Sequence, residues 1–166
     1  MPSTRDTALK IFEGLVKTAR GIREQGSEVE PMGFLFVPVD GSFGLVQVPM
    51  GRLPSKDAAA AVMKNLAQQV GASYAVHITE AWTVDLPGAE VSEDDRLAAS
   101  AWVMAGNSLE DYPDAVEVLM ASIDGPDLNR MVFITINRDG SLTEGEIVDA
   151  VFKGRFTNLS GRVGED

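Results

Sequence analysis

A chain of 166 residues, 45% hydrophobic and 23% charged, is long enough to bury a core and too apolar for intrinsic disorder. Its net charge of −11 argues against sequence-independent binding to nucleic acid, where Lys and Arg must neutralise phosphates, and against docking on an anionic membrane surface. It has no cysteine, a polar start (Met1 to Asp6) and no apolar run near the ~20 residues that a bilayer crossing needs, so we expect one cytoplasmic domain over 1–166 with no disulfide or thiolate chemistry.

The first predicted element is a helix over residues 5–24. Ala8, Leu9, Ile11, Phe12, Leu15, Val16, Ala19 and Ile22 make one apolar face, Ser3 with Asp6 resembles a capping box, and Gly26 is a stop. Two strands follow, residues 32–37 and 44–49, joined at Asp40-Gly41-Ser42 as a hairpin. Pro54-Ser55 opens a second helix, carried by Ala59, Val62, Met63, Leu66 and Val70 and ended by Gly71. Residues 73–85 alternate as a strand with Tyr74, Val76, Ile78, Trp82 and Val84 on one face, and Leu86-Pro87-Gly88 breaks it into a loop through Asp95. Residues 96–105, 115–123 and 130–138 read as three more strands, separated by Gly106-Asn107, Asp124-Gly125-Pro126 and Asp139-Gly140. In the tail, 142–163, Ile147, Val148, Val151 and Phe152 fit a helix, whereas residues 153–156 fit a loop or short strand.

The order α-β-β-α-β-β-β-β plus tail predicts an α+β class: a largely antiparallel sheet of about six strands with both helices packed on one face. Charge is unevenly placed along it. Residues 1–70 hold eight Lys/Arg against seven Asp/Glu, and residues 71–166 hold six against eighteen. The acidic side lies mainly in predicted loops, with Glu93, Asp94, Asp95, Glu110, Asp111 and Asp114 as a candidate interaction surface; the basic side is the first helix, with Lys10, Lys17, Arg20 and Arg23.

Residues suited to catalysis are few. His77 is the only histidine and falls in mid-strand as a polar strand residue; with no Cys beside it, an ordinary transition-metal site lacks ligands, and no metal or cofactor is expected. The acidic loops lack the spacing of an EF-hand, and neither a phosphate-binding glycine motif nor a Gly-x-Ser-x-Gly nucleophile turn occurs. Glu80 is the anomaly, a carboxylate on the apolar face of its strand. A buried carboxylate needs a partner or loses its charge; Arg138, ending the strand that carries Val132, Ile134 and Ile136, is the expected structural partner, ahead of a catalytic role for Glu80 and of a frayed or bulged strand that takes it out of the core.

Ile78-Thr79-Glu80-Ala81-Trp82, then Arg96, Asn137-Arg138-Asp139-Gly140 and Gly154-Arg155-Phe156, resembles a loose group of small uncharacterised bacterial and phage proteins. Their pattern is a Ser/Thr-Glu-Ala-Trp strand, an Arg-containing strand, an Arg-Asp-Gly turn and a C-terminal Gly-Arg-aromatic motif. The resemblance implies an α+β architecture, makes Glu80, Trp82, Arg96 and Arg138 a candidate cluster of the sheet, and brings no activity with it. We therefore expect a non-enzymatic accessory protein, phage or mobile-element encoded, that binds another protein and neither nucleic acid nor membrane. The alternative expectation is an acidic inhibitor that occupies the nucleic-acid groove of a host defence nuclease; a carboxylate- or metal-dependent hydrolase ranks below it. The basic first helix of one copy meeting the acidic half of another would give a homo-oligomer.

Overall fold

In a computed structural model, which describes residues 3–84 and 92–149, six strands form one antiparallel sheet. In chain order the described elements are α1 (Thr4–Glu24), β1 (Met32–Val39), β2 (Ser42–Val48), α2 (Lys56–Val70), β3 (Tyr74–Thr83), α3 (Glu93–Met104), β4 (Val116–Asp124), β5 (Asn129–Ile136) and β6 (Leu142–Val148), with short 3₁₀ turns at Met50–Arg52 and Leu109–Asp111. The spatial order is β2-β1-β3-β4-β5-β6, and every neighbouring pair is antiparallel. The class is α+β, as the alternation of short turns and strands predicts.

The local signals act where the sequence places them. Ser3 and Ser55 cap α1 and α2 by accepting the backbone N–H of Asp6 and Ala58. The β1–β2 hairpin turns on Asp40 and Gly41, with φ of 47° and 81°, the left-handed pair that a two-residue turn needs.

Two expectations are corrected. The helices do not share a face. Phe34 and Phe36 of β1, and Tyr74, Val76 and Ile78 of β3, pack with Ala8, Phe12 and Ala19 of α1. The intervening residues Leu35 and Ala75 pack with Ala59, Met63 and Ala67 of α2. Successive strand residues point to opposite sides, so α1 and α2 sandwich the sheet between them. The signal was the unbroken apolar run in β1: a strand covered on both faces shows no alternation. At Gly33 the sheet and α2 pack closely, because a Cβ there would run into Met63 Sδ.

The second correction is residues 96–105, which form most of α3 and not a strand. Ser92 caps the helix by accepting the Asp95 N–H, Glu93 to Asp95 place negative charge in its first turn, and the alanines that follow favour helix. Gly106 ends it at φ 91°, with the Asn107 N–H donating to the Trp102 carbonyl. In the tail, Leu142–Val148 is a strand, β6, with a bulge against β5 between Val132 and Ile134. The Gly154-Arg155-Phe156 motif and the rest of the expected tail lie outside the described residues.

Candidate interaction surface

Glu80 sits where β3 outruns β1. Met32, the first residue of β1, pairs with Ile78, so beyond it the β1-side edge of β3 faces the linker from α1. The Glu80 carboxylate fills that gap by accepting the Val29 backbone N–H at 2.9 Å. Its cation is Arg23 of α1, whose Nη1 lies 3.4 Å from Glu80 Oε1; the other guanidinium nitrogen, Nη2, is 3.9 Å from Glu117 of β4. The side chains of Glu80 and Arg23 are 13% and 18% exposed, which makes the pair substantially desolvated.

The expected partner, Arg138, is instead exposed in the turn between β5 and β6. Alternation places its face correctly, but its strand ends at Ile136, and the helix that covers this face brings a nearer guanidinium. Of the four residues of the expected cluster, Glu80 and Trp82 lie two apart on one face of β3, with Trp82 opposite Glu117 and partly exposed. Arg96 belongs to α3 and is exposed. Glu117 was missed, although the rule that singled out Glu80 finds it too: it shares its face with the buried Leu119, Ala121 and Ile123.

Burial pushes the Glu117 carboxyl above its ordinary value; Arg23 opposes this, while Glu80, Glu110 and Glu28 reinforce it. A carboxylate raised in the folded state disfavours folding when ionised. That penalty is present above the raised value and fades as pH falls through it into the ordinary carboxylate range. Glu117→Gln is therefore expected to raise Tm at neutral pH and to match the wild type near pH 4. A thermal-unfolding series in pH measures this; a variant no more stable at neutral pH would show that Arg23 outweighs the burial.

The basic residues of α1 divide. Lys10 and Lys17 are exposed, but Arg23 is engaged as above and Arg20 is ion-paired to Glu24 and to Glu144 of β6. Arg20 lies along a groove of about 170 Å³ between α1 and β5–β6, floored by Phe12, Val16, Val132 and Ile134. At this groove Arg130 holds Asp149 through two hydrogen bonds, 2.6 and 3.1 Å, which keep the Asp149 carboxyl below its usual value. Both guanidiniums are thus bound by carboxylates on or just beyond β6 and tie that edge strand to the body.

The acidic residues are exposed and fall on two adjoining pieces. Glu93, Asp94 and Asp95 form the first turn of α3; Glu110 and Asp111 belong to the 3₁₀ turn, and Asp114 follows. Trp102 joins the pieces: its Nε1 donates to the Ser108 carbonyl at 2.7 Å and its ring meets Tyr112 edge-on at 5.8 Å. Ala99 and Trp102 are the inward face of α3. The opposite face carries Leu97, Ala101 and Met104, spaced by four and seven residues, with Leu97 61% and Met104 87% exposed. Glu93 and Asp94, one turn before Leu97, continue that stripe toward the helix start.

His77 is buried on the α2 side of the sheet, opposite Gly33 and Ser122. Among the described residues no group of three His, Asp or Glu is arranged to hold a metal ion, and no helix is long and apolar enough to cross a membrane. Comparison with protein-family models, curated proteins and solved structures returned no match.

Proposed function

We propose that this protein is a non-enzymatic binding module that docks the outer face of α3 into an apolar groove of a basic partner protein. The observation that carries this reading is the stripe Leu97, Ala101, Met104. A helix in water normally buries its one apolar face, yet α3 uses Ala99 and Trp102 for that purpose and presents a second apolar face outward. Anchors at this spacing suit a helix lying in a groove. The acidic first turn at one end of the stripe favours a rim of Lys and Arg, which would set orientation and speed association.

A nucleic-acid-binding protein offers such a rim, and Glu93 to Asp95 with Glu110, Asp111 and Asp114 would then stand where phosphates bind. The resemblance to small bacterial and phage proteins extends the proposal to an accessory role in a mobile element.

The test compares the wild type with Leu97→Asp/Met104→Asp in affinity capture followed by titration of the captured protein. Both side chains are exposed, so the double variant is expected to keep the wild-type Tm while losing the partner. Equal capture by the two proteins would overturn the role of α3. Rising salt is expected to weaken the complex; an affinity indifferent to salt would remove the basic rim from the reading.

A further inference from the structure

The two edges of the sheet are built differently. β6 carries Glu144, a bulge against β5 and ion pairs that hold it and the residue after it to the body. Those are the devices that keep an edge strand from pairing with another chain. β2 has none of them. From Gly41 to Gly51 there is no Lys, Arg, Asp or Glu, no proline interrupts Ser42–Val48, and its pairing with β1 is regular throughout.

The backbone groups that β2 presents can be named. The Phe36 carbonyl accepts from Ser73, so the polar groups of Phe36 face β3, and those of Leu35 and Val37 face β2. Their partners Val46 and Gly44 bond to β1, which leaves the N–H and C=O of Phe43, Leu45 and Gln47 pointing away from the sheet. Leu45, the middle one, is 46% exposed.

We propose that β2 is a self-association surface, through which two copies join by antiparallel pairing of their Ser42–Val48 strands about a twofold axis at Leu45. In this register Phe43 of each copy pairs with Gln47 of the other, and the two Leu45 side chains lie side by side and cover one another. A second copy fits better than a charged partner strand because the segment is neutral. Two molecules of charge −11 repel along their acidic surfaces, and this edge is where they can approach without that penalty. The contact is isologous and closes at two copies. It uses neither α3 nor the basic face of α1.

Sedimentation velocity of the full chain over a concentration series tests this, together with amide hydrogen exchange at the same concentrations. The wild type is expected to pass from monomer to dimer, with the Phe43, Leu45 and Gln47 amides becoming protected in step and the Gly44 and Val46 amides already protected in the monomer. Leu45→Pro removes an outward N–H and leaves the β1 ladder intact, so it is expected to stay monomeric with a native circular dichroism spectrum. Leu45→Lys supplies the same answer should the proline variant fold poorly, because it sets two like charges at the axis. A wild type that is monomeric throughout overturns the proposal, as does a dimer that survives either folded variant. So does a dimer dissociated by Leu97→Asp and not by the Leu45 changes. Protection of Phe43, Leu45 and Gln47 that appears only on adding a different protein would assign the edge to a foreign strand and also overturn it.

Discussion

Replacing Glu80 by Ala is expected to destabilise the protein by about 3 kcal/mol, a fall in Tm of roughly 6–12 °C for a chain of this size. Two losses add. The buried Val29 loses the acceptor of its N–H, and Arg23, 18% exposed, keeps only the longer contact to Glu117. Glu80→Gln separates them. An amide oxygen can still accept from Val29, so this variant is expected to lose only about 1–2 kcal/mol, the part due to the charge. Replacing both partners, Arg23→Met with Glu80→Gln, is expected to cost less than the two single changes summed, since the double variant leaves only Glu117 without its cation, whereas Arg23→Met alone leaves both Glu80 and Glu117 so. Urea unfolding of the wild type, Glu80→Ala, Glu80→Gln, Arg23→Met and the Arg23→Met/Glu80→Gln double variant measures all three quantities. A Glu80→Ala variant within ~0.5 kcal/mol of wild type would show that the linker and Arg23 find other partners.

Glu80 also shows how far strand alternation reaches. The alternation of residues 73–85 identifies the face that meets the core, and Tyr74, Val76 and Ile78 are buried there. It flags a carboxylate on that face as needing a cation. It does not say which one, because the choice depends on where β1 begins relative to β3 and on which helix lies above. Arg138 and Arg23 satisfy the sequence rule equally; only the packing of α1 across β3 and β4 brings Arg23 within reach. The helix layers were hidden for a related reason. Antiparallel hairpins suggest one wet face, and only the lack of alternation in Met32-Gly33-Phe34-Leu35-Phe36-Val37 marked a second buried one.

Residues 96–105 illustrate competition between two local signals. Leu97 to Ala105 is an apolar run of strand length, but Ser92 and the acids after it are a helix start. Capping and alanine propensity prevail because no strand neighbours this segment: β3 pairs directly with β4, register unbroken from Ala75–Asp124 to Thr83–Val116, so residues 96–105 have no place between them in the sheet. The exclusion of α3 from the sheet is also what leaves Leu97 and Met104 in solvent. That property is topological, and no window of sequence around α3 contains it.

The turn after β4 makes the most sterically demanding prediction. A Cβ on Gly125 would penetrate the ring of Tyr74, meeting Cδ1 and Cε1. Tyr74 cannot step aside: it is 1% exposed, its ring packs against Phe36 and Phe43 at 6.3 and 5.6 Å, and its hydroxyl donates to Asp127 at 2.5 Å. Nor can the turn, since the Gly125 N–H is held by the Leu128 carbonyl and Asp127 receives Arg5 of α1 on its own carbonyl. Gly125→Ala is therefore expected to destabilise by about 3 kcal/mol, at the upper end for one added methyl in a packed core. Tyr74→Phe, which loses the hydroxyl contact and keeps the ring, is expected to cost about 1 kcal/mol and to leave the Gly125→Ala penalty unchanged. Tyr74→Ala removes the ring and should itself cost about 3–5 kcal/mol, but on that background Gly125→Ala should cost almost nothing more. The double-mutant cycle then returns a coupling of about 2–3 kcal/mol, close to the whole single-site penalty. A Gly125→Ala penalty that persists in full without the Tyr74 ring would place the strain in the backbone of the turn and refute the steric account.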